Sequence, residues 1–104
     1  MSELQNVDVI EAQRLSQGSS ILLDVREQDE WDSGHAPSAV LKPMSELGTW
    51  ISTLPQDADV LVMCQAGGRS LRVSQALQDA GYSVTNVAGG MNAWLEAGLP
   101  VVRD

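Results

Sequence analysis

The apolar positions of the chain change period several times, and each change marks an element boundary. Val9, Ile10, Ala12 and Leu15 recur at helical spacing between Asp8 and Gly18, which predicts a short amphipathic helix with an aspartate cap and a glycine stop. Ile21-Leu22-Leu23-Asp24-Val25 is continuous rather than alternating, the pattern of a strand buried on both faces. Glu27 to Ser33 predicts one or two helical turns around Trp31, broken at Gly34-His35-Ala36-Pro37. Ala39 to Lys42 reads as a short strand. Ser45 is expected to cap a helix in which Leu47, Trp50, Ile51 and Leu54 share a face and which Pro55 ends. Val60-Leu61-Val62-Met63 is the clearest interior strand, and it delivers the chain to Cys64. Beyond Ser70, the residues Leu71, Val73, Ala76, Leu77 and Ala80 mark a longer helix closed by Gly81. Ser83 to Val87 reads as a strand, Ala88-Gly89-Gly90 as a turn, and Met91 to Ala97 as a short helix carrying Trp94. Strands alternating with helices at this spacing predict a three-layer α/β domain around a mainly parallel sheet.

Composition narrows the possible functions. A chain of 104 residues, 43% of them hydrophobic, has enough interior for one small core, so a single domain spanning 1–104 is expected. Six basic against fourteen acidic residues give a net charge of -8, which argues against nucleic acid or an anionic membrane as a partner for a broad face. The charge is uneven. Val60 to Gln78 contains no acid but holds Arg69 and Arg72, whereas Asp24 to Asp32 holds five acids and one arginine. The only cysteine, Cys64, excludes an internal disulfide and a cysteine-based zinc cluster within one chain. The first residues show no basic segment followed by an apolar one, and no run approaches a membrane span, so a cytoplasmic protein is expected.

Candidate chemistry centres on Cys64. In a parallel sheet, ligands collect beyond the carboxyl ends of the strands, and Cys64 occupies such an end. Gly67 and Gly68 permit a tight loop with inward N–H groups, followed by a helix N-terminus that favours negative charge. A thiol there, with Arg69 in the same loop, is expected to shift toward the nucleophilic thiolate. A lone cysteine is more often a small buried apolar side chain. The strand-end position, the paired glycines and the arginine together favour the reactive reading. The run lacks the Gly-x-x-x-x-Gly-Lys-Ser/Thr spacing and has no lysine, which argues against a nucleotide loop.

The chain resembles the rhodanese-like sulfurtransferase domain along nearly its whole length. The resemblance is carried by Leu22-Leu23-Asp24-Val25-Arg26 with Glu27 and Glu30-Trp31, by Gly34-His35-Ala36-Pro37-Ser38-Ala39, by the Cys64 loop, and by Gly81-Tyr82 and Val87-Ala88-Gly89-Gly90-Met91 with Trp94. It implies a mostly parallel five-stranded sheet with helices on both faces. It also implies a reaction: sulfane sulfur passes from a donor such as thiosulfate to the cysteine as a persulfide, then to a thiophilic acceptor such as cyanide, a thiol or a protein acceptor. On that reading Cys64 is catalytic, and Gln65, Ala66, Gly67, Gly68, Arg69 and Ser70 bind the donor, with Arg69 on its oxyanion end. Asp24, Arg26 and Arg72 support them. No metal, cofactor, nucleic acid or membrane is expected.

Two other function classes compete. Rhodanese-like domains with degraded loops act as regulatory or docking modules, but Cys64 and Arg69 are both present. Cysteine phosphatases and arsenate reductases are the other alternative. Phosphatases of the related fold place five residues between cysteine and arginine, whereas four separate Cys64 from Arg69 and the sixth position is Ser70. His35, the only histidine, is expected to pin its loop rather than to transfer protons. Glu27, Asp29, Glu30 and Asp32 read as a solvated face. Trp31, Trp50 and Trp94 are expected to pack the outer layers onto the sheet.

Overall fold

The computed structural model describes residues 3–103; the expected domain bounds, 1 and 104, lie outside them. Five strands, β1 (Gln5–Val7), β2 (Ile21–Asp24), β3 (Ala39–Leu41), β4 (Asp59–Met63) and β5 (Ser83–Val87), form one sheet in the order β1-β5-β4-β2-β3, with every pairing parallel. The helices are α1 (Val9–Ser16), α2 (Gln28–Asp32), α3 (Leu47–Trp50), α4 (Gly68–Asp79) and α5 (Gly90–Glu96). The fold is thus the α/β architecture with a five-stranded parallel sheet. No helix among the described residues is long and apolar enough to cross a membrane.

Alternation within β4 divides the interior. Val60, Val62 and Cys64 join Leu23, Val25, Trp50, Val73 and Leu77 on one face of the sheet, whereas Leu61 and Met63 join Val9, Ala12, Leu22, Met91 and Trp94 on the other. A strand buried on both faces explains why its sequence is uniformly apolar. Trp50 and Trp94 close the two layers, each satisfying its indole N–H on a backbone carbonyl, Pro43 and Pro100 respectively, at 2.8 Å. Trp31 does not pack on the sheet. Its ring stacks on His35 with centroids 3.5 Å apart and planes 8° from parallel.

One strand is added and two local expectations are corrected. Gln5–Val7 forms an edge strand although its pattern carries no strand signal, because a three-residue edge with two exposed positions needs little apolar content. Ser45 does not cap α3. Residues Met44–Glu46 form a 3₁₀ turn after Pro43, and the Ser45 hydroxyl instead donates to Glu27 Oε1 at 2.7 Å. Finally, α4 begins at Gly68 rather than beyond Ser70, because Gly67 at φ +119° makes the whole reversal in one residue. The Asp8 cap is present, with its Oδ1 accepting the Glu11 N–H at 2.9 Å.

Because all strands run the same way, their carboxyl ends share one edge. Asp24, Met63 and Val87 end adjacent strands there, and the chain beyond each contributes to the same small region.

Candidate active site

Cys64 leaves the central strand and is 1% exposed. Its sulfur accepts the Gly67 N–H at 3.0 Å. Burial pushes the thiol's pKa up, but hydrogen bonds from the Ser70 hydroxyl and from the backbone N–H groups of Ser70, Gly67 and Ala66 outweigh it, and the pKa falls below its ordinary value. The thiolate is therefore favoured by a ring of donors supplied largely by the backbone, an arrangement suited to a nucleophile and to any anion that replaces it. Ser70 is itself fully buried, and its one hydroxyl hydrogen can turn instead to the Gly67 carbonyl, 3.1 Å away.

Arg69 makes a different contact from the one its position implies. Its two terminal nitrogens grip the two oxygens of Glu30 at 2.7 and 2.8 Å. The Arg69 guanidinium pulls the Glu30 carboxyl down to about 2, so the pair persists across the neutral range and loosens only as pH falls toward that value. Glu30 also accepts the Glu27 N–H at 3.0 Å in a reciprocal cap of α2, and Glu27 in turn receives Ser45. Glu27 and Glu30 are thus bonded to other elements rather than merely solvated. The signal available in the sequence was the Glu27-x-x-Glu30 spacing of a helix cap. Nothing in the sequence paired Glu30 with a residue 39 positions away.

Beneath the loop lies a second ion pair. Asp24 is fully buried and Arg26 3% exposed. Arg26 Nε meets both Asp24 oxygens at 3.0 and 3.1 Å, and Nη2 meets Oδ2 at 2.8 Å. The same guanidinium donates to the Gly34 carbonyl at 2.9 Å and to Gln65 Oε1 at 3.1 Å. Gln65 passes the connection on, its Nε2 donating to Asn92 Oδ1 at 2.6 Å. One buried arginine therefore joins the end of β2, the His35 loop, the cysteine loop and α5. His35 closes its loop through Nδ1, 3.1 Å from the Ala36 carbonyl, and through paired backbone hydrogen bonds with Val102 at 2.9 Å each. Arg72 is exposed on α4 and has no hydrogen bond or ion pair among the described residues. Ala66 contributes a backbone N–H, and Gly68 opens α4. No three His, Cys, Asp or Glu side chains among the described residues are placed to hold a metal ion.

From the other side, α5 presses its N-terminus against the loop. Met91 N–H donates to the Cys64 carbonyl at 2.8 Å and Asn92 N–H to the Gln65 carbonyl at 3.0 Å. This contact requires glycine at position 90. A Cβ there would stand 2.2 Å from the Cys64 oxygen and 2.9 Å from the Gln65 oxygen, and φ is +53°. Both obstacles are backbone atoms and cannot swing aside. Gly90→Ala is expected to destabilise the protein by roughly 2–4 kcal/mol, read from its urea midpoint.

Comparison with known proteins agrees with this geometry. The rhodanese-like domain family matches residues 9–97. A protein of Allochromatium vinosum named sulfurtransferase is 38% identical over 93 residues, covering 88% of this chain and 87% of that protein. Thiosulfate sulfurtransferase 18 of Arabidopsis thaliana is 37% identical over 114 residues, covering 95% of this chain and 84% of that protein. Among solved structures, a rhodanese-related protein of Thermoplasma volcanium superposes with a TM-score of 0.90 at 29% identity, covering 96% of this chain and 99% of that one. With its central cysteine, inward-facing loop and parallel sheet, the chain belongs to the rhodanese-like domain family.

Proposed function

We propose that this protein is a sulfurtransferase that carries sulfane sulfur as a persulfide on Cys64. The observation that carries the proposal is the buried sulfur accepting the Gly67 N–H at 3.0 Å, with its pKa lowered despite burial. The thiolate attacks the outer sulfur of thiosulfate or a similar persulfide donor. A new S–S bond forms, the donor's S–S bond breaks, and its electron pair leaves with sulfite when the donor is thiosulfate or with a thiolate when it is a persulfide. The terminal persulfide sulfur is then attacked by a thiophilic acceptor such as cyanide, a thiol or a protein thiol, which regenerates the thiolate. The ring from Gln65 to Ser70 accommodates the negative sulfur in both states. The names of two relatives, a sulfurtransferase and a thiosulfate sulfurtransferase, support the same reading. A cytoplasmic location and one domain over residues 1–104 are part of the proposal. Intact mass after thiosulfate treatment tests it: gain of one sulfur, lost on cyanide addition with release of thiocyanate, is the expected result. No adduct together with phosphate release from an aryl phosphate would overturn it in favour of a phosphatase.

The Glu30 contact changes how the donor is held. With Arg69 neutralised in a bidentate pair, anion binding rests mainly on backbone N–H groups. Glu30→Gln keeps the helix cap but frees the arginine charge. The expected result is a fall of about fivefold in the KM for thiosulfate, corresponding to about 1 kcal/mol of screened attraction. Salt should raise this KM more steeply in the variant than in the wild type.

A further inference from the structure

A pocket of about 200 Å³ lies beside the cysteine loop rather than over the sulfur. Its apolar wall is Met91, Leu95 and Val101, and its polar side holds Arg26, Gln65 and Arg103. None of its lining residues is acidic, in a chain with fourteen acids and a net charge of -8.

The two arginines differ. The charge of Arg26 is met by Asp24, and of the two hydrogens on its Nη1 only one is taken, by Gln65 Oε1. Arg103 donates Nε to the Ser33 carbonyl at 2.8 Å, and its terminal nitrogens have no acceptor among the described residues. Among the described residues, the pocket thus offers one positive charge with no carboxylate on it, a spare hydrogen on a buried guanidinium, and an apolar wall opposite. One net charge suits a monoanion better than a dianion, and a planar guanidinium matches the two oxygens of a carboxylate. A volume near 200 Å³ corresponds to about seven waters at the liquid share of about 30 Å³ each, room for a carboxylate with a short chain.

We propose that this pocket binds a small monocarboxylate with a short apolar stem, its carboxylate on Arg103 and Arg26 and its stem along Met91, Leu95 and Val101. The proposal stands apart from sulfur transfer and does not require it.

Butyrate titration of protein carrying methyl-labelled methionine tests it by NMR. A saturable shift confined to Met91, with a midpoint of roughly millimolar concentration, is the expected result. Butyramide, which keeps the stem without the charge, and sulfate, a dianion without the stem, should each bind at least tenfold more weakly. Arg103→Ala should weaken butyrate at least tenfold, and Leu95→Asp, a change at a half-exposed rim position, should abolish the shift while leaving the other methionine signals in place. Equal shifts with butyramide, an unsaturating response, or full butyrate binding by both variants would overturn the proposal. Persulfide formation on Cys64, measured on the same samples, reports separately on the sulfur-transfer reading.

Discussion

Replacing Cys64 by serine will reduce sulfur transfer from thiosulfate to cyanide by roughly 10⁴-fold or more, because the acceptor of the sulfur is removed and the hydroxyl ionises far too weakly to replace it. The protein should still fold, since a serine oxygen can accept the Gly67 N–H that the sulfur now accepts. Loss of activity with an unchanged unfolding midpoint is therefore the expected pair of results, and wild-type turnover by Cys64→Ser would sink the mechanism. The pH dependence carries a sign as well. Since the thiol's pKa is lowered, the rate of alkylation of Cys64 should reach its plateau at a lower pH than that of an ordinary thiol. Ser70→Ala removes the hydroxyl's contribution and should move the profile back upward.

Asp24→Ala is the substitution expected to cost most in stability, roughly 3–5 kcal/mol, a large share of the roughly 5–15 kcal/mol that holds a typical domain together. The cost comes from the partner left behind. Arg26 is 3% exposed and would keep a buried charge with only the Gly34 carbonyl and Gln65 to satisfy it. Asp24→Asn, which keeps the size and one acceptor oxygen, should lose less. Denaturant melts of both variants check the order, and a loss under 1 kcal/mol for the alanine variant would show that water reaches the guanidinium. Activity should fall too, because the arginine that positions Gln65 loses the carboxylate that anchors it.

Much of this organisation is legible in the chain. The apolar run of β4 and the Asp8 cap announce themselves locally, since burial on two faces and a side-chain oxygen before a helix each leave a short pattern. Cys64 is legible for the same reason: its strand, its glycines and its helix are contiguous. The missing parts are those settled by distant partners. β1 exists because Gln5–Val7 can lie along β5, with Asn86 Nδ2 donating to Asn6 Oδ1 at 2.8 Å, and not because three residues prefer extension. Arg69 reads as a loop arginine, and only the fold sets Glu30 against it. Gln65 reads as a loop residue, yet its side chain connects Arg26 to Asn92.

The grip of α5 on the loop has an electrostatic consequence. In a trans peptide the carbonyl and the following N–H point in opposite directions. The Gln65 carbonyl is held by Asn92, so the N–H of the same peptide unit, that of Ala66, is turned the other way, and it is one of the donors that lower the Cys64 pKa. A flip of that peptide would forfeit the Asn92 hydrogen bond and aim an oxygen dipole at an anion. The polarity around the sulfur is accordingly built during folding, and it needs no reorganisation each time a charge arrives or departs.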